Sequence, residues 1–394
     1  MKSFLISFVL FAEMLQAQVA VRGETVYTMA GAPIPNGVVL IRNGKIERVG
    51  PAASVAIPSG YKTLSAKVVT PGLIDVRSAL GLSGYLVQPH DQDQVERSSP
   101  MQPELRAMDA YNPREALLAH VRSYGVTTVH TGHSTGILVS GQTMVVKTAG
   151  NSVEEALVKP EAMVAATLGS DGLTNEAGKS PGSRAKAIAM LRAEFLKAQE
   201  FEKKKDKTRD LRTEAFLRVV KGELPFLVQV HQAHDILTAI RLGKEFNLKM
   251  VLEGCAEAYL VLDQIKASGY PVILHPTMER AGGETANISR ETASKLRAAG
   301  IPFAIESGFE GYVPKTRVVL FEAGMAAANG LTFEQALASI SIDAAKILNI
   351  AERVGSLEVG KDGDVALYDG DPFELTSHCV GVVLNGVVVS VEKK

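Results

Sequence analysis

Short alternations of apolar and polar residues open the chain. VAVRGETVYTM, GVVLIRNGKIERVG and YKTLSAKVVT, all within residues 19–70, are broken by turns and change character every one or two residues. That two-residue period belongs to half-buried strands. Asn43-Gly44, set between LIR and KIERV, is a strong signal for a two-residue hairpin. The C-terminal end has the same character: DVALYDGDP (364–372), then CVGVVLNGVVVSVE (379–392) with Asn385-Gly386 at a second hairpin position. Two strand-rich ends with unpaired edges are expected to complete one small sheet domain together.

Between the ends the pattern changes. Apolar runs at 73–75, 126–131, 144–148, 163–168, 226–230, 250–253, 272–274 and 303–305 read as buried strands. Helical spacing fills much of the space between them, at 183–201, 235–246, 258–268 and 290–300. Strands and helices in alternation predict a parallel sheet clothed in helices, and eight such units fit a (β/α)8 TIM-like barrel. The stretch 82–112 is too long for a plain connector and is expected to reach over the barrel mouth. AGGET (281–285) has no lysine of a phosphate-binding loop and reads as an ordinary loop, and an HExxH motif does not occur.

Composition adds limits. At 394 residues, 46% hydrophobic and 22% charged, the chain has the length for one large domain and a smaller one. A formal net charge of -1 points away from nucleic acid, and KKKDK (203–207) reads as the solvated end of a helix. The N-terminus has Lys2, an apolar run over 4–15 and the small Ala17, the layout of a secretory signal peptide over 1–17. The expectation is a secreted or periplasmic protein without a membrane span. Cys255 and Cys379 do not make a disulfide framework and are expected to be free thiols.

IRNGKIERVG, VVTPGLID, GSLEVGKDGDVALYDGDPFE and VVLNGVVVS together resemble the amidohydrolase superfamily, and within it the imidazolonepropionase-like secreted branch. The resemblance implies a barrel over 71–357, a composite β-sandwich from 18–70 and 358–394, and an ancestry among hydrolases of carbon–nitrogen bonds. It also implies one or two divalent metals, zinc or another, at the C-terminal strand ends. Carried onto this chain, the His-x-His positions after GLIDV hold Arg77 and Ala79. The strand-four acidic position falls on Ser170, the strand-five histidine on Gln229, the strand-six histidine on Gly254 and the strand-eight aspartate on Gly308. A slip of one or two positions would bring His231, Glu306 or Ser307 nearer those places. Three or more converging donors are needed for a metal, so neither metal nor other cofactor is expected.

The strand ends nevertheless keep many polar groups. Glu253, Glu306 and His275 are the candidate catalytic residues, since two carboxylates near cations can be tuned apart in pKa. Arg77, His130, His133, Gln229 and His231 are the candidate ligand-binding residues. HTGH (130–133) could alternatively hold a metal with His231 or His275, and Cys255 could be a nucleophile beside a histidine. Two functions stay open: a hydrolase of cyclic-amide-type substrates working without the metal cluster, and a non-catalytic small-ligand-binding or scaffolding relative. The expected partner is a small amide-like molecule, with homo-oligomerisation left open.

Overall fold

The computed structural model describes residues 18–86, 88–173, 180–309 and 317–391. Residues 1–17, read from the sequence as a signal peptide, lie outside the described residues. Four strands lead: β1 (Val19–Val26), β2 (Ile34–Arg42), β3 (Lys45–Pro51) and β4 (Lys62–Pro71). Asn43 and Gly44 both take positive φ, 55° and 75°, as the tight turn joining β2 to β3 requires.

The barrel follows. Its elements are β5 (Leu73–Ser78), α1 (Ala116–Arg122), β6 (Val126–Thr131), β7 (Val139–Gln142), β8 (Met144–Lys147), α2 (Val153–Ala156), β9 (Leu157–Lys159) and β10 (Val164–Thr167). It continues through α3 (Arg184–Lys203), α4 (Leu211–Val220), β11 (Phe226–Val230), α5 (Ala233–Glu245), β12 (Met250–Gly254), α6 (Leu262–Ser268), β13 (Val272–Leu274), α7 (Thr292–Ala299) and β14 (Phe303–Ile305). Helices α8 (Val319–Ala328), α9 (Phe333–Ser339) and α10 (Ile342–Ile347) close it. Ile74, Val76, Val145, Ala165, Leu227, Val251, Ile273 and Ala304 form one buried cluster plugged by Ala344, Ala345 and Leu348 of the α10 region. Residues from seven staves meeting in one cluster mark the packed barrel interior. Among the described residues, the end of β5 meets the chain just after β14 at a bridge from Ser78 to Gly308.

All eight apolar runs are strands, but the third stave departs from a parallel barrel. Residues 139–147 form one bulged strand: β7 pairs antiparallel with β10, and β8 antiparallel with β6. The long 82–112 segment has a further role. Its described residues run along the free edge of β7, with Gln102 N donating to Val139 O (2.8 Å) and Gln142 N to Leu105 O (2.7 Å). An unpaired strand edge needs hydrogen-bond partners, and this segment supplies them, while its Gln94 O also accepts from Ser134 N at 2.7 Å beside the cavity.

The chain ends in β15 (Val365–Tyr368), β16 (Cys379–Leu384) and β17 (Val387–Ser390). They join the first four strands in one seven-stranded sheet, ordered β17-β16-β15-β4-β1-β2-β3. Where this sheet meets the barrel, Lys147 of β8 is buried against Asp364 and Asp362, the latter at 3.1 Å. Asp362 also takes Lys45 Nζ at 2.6 Å and Arg353 Nη2 at 3.1 Å. Among the described residues no helix is long and apolar enough to cross a membrane.

Candidate active-site pocket

Period-two alternation carries the site. One inward step beyond the apolar interior, Leu227 leads to Gln229, Val251 to Glu253, Ile273 to His275 and Ala304 to Glu306. Parallel staves present these ends on one face, where barrel chemistry resides. Arg77 is out of phase with Val76, but the register of β5 against β6 shifts between Asp75 and Ser78. That irregularity lets both Arg77 and Ser78 line a cavity of about 80 Å³, room for several waters or one small ligand. Gln229, His231, Glu253, Glu279, Glu306 and Arg317 share its wall, with Pro276 and Phe309 as apolar surface.

Arg77 is the hub. Its Nε donates to Glu253 Oε1 and Oε2 at 3.3 and 3.2 Å, with both side chains almost wholly buried. Nη1 donates to Ser78 O at 3.2 Å, and Nη2 to His133 O. Burial first, and then the charge of Glu253, raises the Glu306 carboxyl well above the usual range, while Arg77 opposes the shift. Its Oε2 has no hydrogen-bond partner among the described residues. Glu306 therefore holds its proton more tightly than an ordinary carboxylic acid, with one oxygen unengaged among the described residues.

His231 is held neutral by burial, and its Nδ1 also lacks a partner among the described residues. Its ring lies over Gly254, where φ is +83° and a Cβ would stand 2.7 Å from His231 Cε1. Glycine is needed there on both counts.

The remaining predicted residues fall outside the cavity wall. His130 is wholly buried, with Nδ1 at 2.7 Å from Val76 O and Nε2 at 2.6 Å from Thr143 Oγ1; burial, then Arg77, lowers its pKa to about 3. His133 serves Arg77 through its carbonyl, and its ring is pushed to about 4 by burial and then by Arg77. His275 sits behind the wall, Nδ1 donating to Pro276 O at 2.9 Å, with burial lowering it to about 4. Ser170 is exposed in a turn. Both cysteines are free and buried. Burial, then Glu306 and Glu253, pushes the Cys255 thiol far up, which removes the thiolate that nucleophilic attack requires.

Three contributors escaped the sequence reading. Glu279 and Arg317 come from loops without periodicity. Burial pushes Glu279 up to about 7. Asp75 of GLID is the third. Its Oδ1 accepts from Ser307 N (3.1 Å) and Arg77 N (3.3 Å), and its Oδ2 from Ser307 Oγ. This carboxyl staples the β5–β14 seam and is raised to about 7 by burial, which its hydrogen bonds only partly offset. Among the described residues, no three His, Cys, Asp or Glu side chains gather as metal ligands.

A model of the amidohydrolase family matches residues 286–390. The crystal structure of an amidohydrolase from Thermotoga maritima superposes with a TM-score of 0.89 at 27% identity, over 95% of this chain and 100% of that one. The chain is similar to amidohydrolases along nearly its whole length. Among its amidohydrolase relatives, the imidazolonepropionase of Rhizorhabdus wittichii is 27% identical over 392 residues, covering 88% of this chain and 92% of that protein. The Brucella anthropi imidazolonepropionase is 25% identical over 391 residues, covering 91% and 93%. The likeness to these amidohydrolases supports a hydrolase of carbon–nitrogen bonds.

Proposed function

We propose that the pocket takes a small amide-type ligand, cyclic amides foremost, and acts on it without a divalent metal ion. The observation that carries this reading is the buried Arg77–Glu253 pair sharing one cavity with Glu306, whose carboxyl burial raises well above the usual range. The residues present do not fit the superfamily's metal. Arginine and alanine stand at the His-x-His positions and glycine at the strand-eight aspartate position. Arg77 is permanently charged, and a divalent cation ~4 Å away would be repelled by roughly 8 kcal/mol at an effective dielectric of 20.

The chemistry left to the pocket is general acid–base catalysis. Neutral His231 can take a proton from water as its oxygen adds to the amide carbonyl carbon. Protonated Glu306 can then donate to the leaving nitrogen as the C–N bond breaks. Arg77 holds Glu253 and keeps the pocket from becoming anionic. A second reading, ligand binding without turnover, is favoured by the same clamp on Glu253 and by the inert Cys255 thiol.

Metal analysis of protein purified without chelator, with and without added zinc, tests both readings alongside a panel of lactams, hydantoins and dipeptides. Expected are substoichiometric metal and EDTA-insensitive hydrolysis that Glu306→Gln abolishes. Binding heats without turnover would select the second reading, and stoichiometric zinc would overturn both. We further propose export to a secreted or periplasmic location, supported by the 1–17 pattern. N-terminal sequencing should then begin at Gln18, whereas a retained Met1 would reject it.

A further inference from the structure

The segment after β13 crosses the barrel mouth. Strand order runs β14-β13-β12-β11-β10, yet Glu284 in this segment reaches groups that follow β10. Its Oε1 accepts from Ser170 N at 2.8 Å and from Arg184 Nη2 at 2.6 Å. Gly169, at φ +94°, makes room for it, since a Cβ there would lie 2.3 Å from Glu284 Oε2. Arg184 is itself braced by Asp235 at 2.9 Å and Gln232 at 3.1 Å. The far end is pinned above β12, where Asn287 Nδ2 donates to Glu257 Oε1 (2.6 Å) and Tyr259 Oη to Asn287 O (3.0 Å). Between these points the segment passes the ends of β11 and β12, which supply Gln229, His231 and Glu253 to the cavity. Its own Pro276 and Glu279 form part of the cavity wall. Gly282 and Gly283, just before the latch, have open space where a side chain would be.

We propose that residues 276–286 are a strap latched by Glu284 in the cradle of Gly169, Ser170 and Arg184, and that access to the cavity widens when this latch releases. Charge-assisted hydrogen bonds close to one carboxylate make a discrete contact that breaks as a unit, and loops of this kind gate barrel sites. The strap matters because the cavity takes a ligand, and so rests on that reading, but its test needs none.

His231 is the reporter, being a cavity residue with an imidazole nitrogen that lacks a partner among the described residues. Full-length protein is treated with diethyl pyrocarbonate, and carbethoxylation is followed residue by residue by mass spectrometry. In Glu284→Ala, His231 should react roughly tenfold faster than in the wild type, the gain in open population that losing one charged hydrogen bond produces. Glu284→Gln should fall between. His90, exposed and away from the latch, should react equally in all three proteins, and buried His130 in none. An unchanged His231 rate in Glu284→Ala overturns the strap. So does acceleration at His231 matched by acceleration at His130, which would mean a loosened barrel. Amides that fail to bind would leave these rates untouched, so the two readings fail separately.

Discussion

Arg77 and Glu253 satisfy each other in a place where neither could stand alone. Removing the cation leaves a buried carboxylate beside Glu306, so Arg77→Met should destabilise the fold by about 3–5 kcal/mol in urea unfolding. The double variant Arg77→Met, Glu253→Gln should recover most of that, because no unpaired charge remains. Asp75 gives a pH test. Its carboxyl stands at about 7 in the folded chain against an ordinary 3.8, so the native state holds the proton more tightly. That contribution is complete below about pH 4 and is lost as pH rises through 7. The stability of wild type minus Asp75→Asn should therefore fall between pH 4 and 8, by roughly 4 kcal/mol at most. The lowered histidines act in the opposite sense, losing stability as pH falls, but they are common to both proteins and cancel. Much of the site was legible because alternation names the inward residue: Gln229, Glu253 and Glu306 follow apolar interior positions by two. His130 and His133 were legible as strand-end histidines but not as supports, since sequence does not say which polar side chains satisfy one another. Glu279 and Arg317 sit in aperiodic loops and left no signal.

Among the elements, β8 has the most unusual surroundings. Its Lys147 amine is buried between two aspartates, whereas Lys45, on the same Asp362, is half exposed. Lys147→Met should lower stability by about 3–5 kcal/mol, since Asp364 loses its buried partner. Lys45→Met should change it by about 1 kcal/mol or less. Equal losses in urea titrations of the two variants would show that burial is not what distinguishes them. The eight staves were readable from apolar runs flanked by turns, and Asn43-Gly44 and Asn385-Gly386 were readable as hairpins. The direction of the third stave was not. A buried strand is apolar on both faces whichever way it runs, and only its pairing with β6 and β10 reveals the reversal. The path of 82–112 was hidden for a related reason: it answers an edge that the reversed strand creates.

The seven-stranded sheet places β15 against β4, so the last strands cover an edge made by the first. A chain ending at Gly363 would expose that edge and leave Lys147 without Asp364. It should be largely insoluble, and any soluble fraction should lack native near-ultraviolet circular dichroism. A native spectrum would mean that β1–β4 hold by themselves. The same arrangement has a temporal side. Lys45 and Asp362 are 317 positions apart, and a ribosome adds about 5–20 residues per second. The leading strands therefore wait roughly 15–60 seconds for their closing partners, longer than most domains of this size need to fold once released. For that interval the growing polypeptide carries an open β-edge. Its yield in the cell depends on whatever shields that edge until the final thirty or so residues emerge.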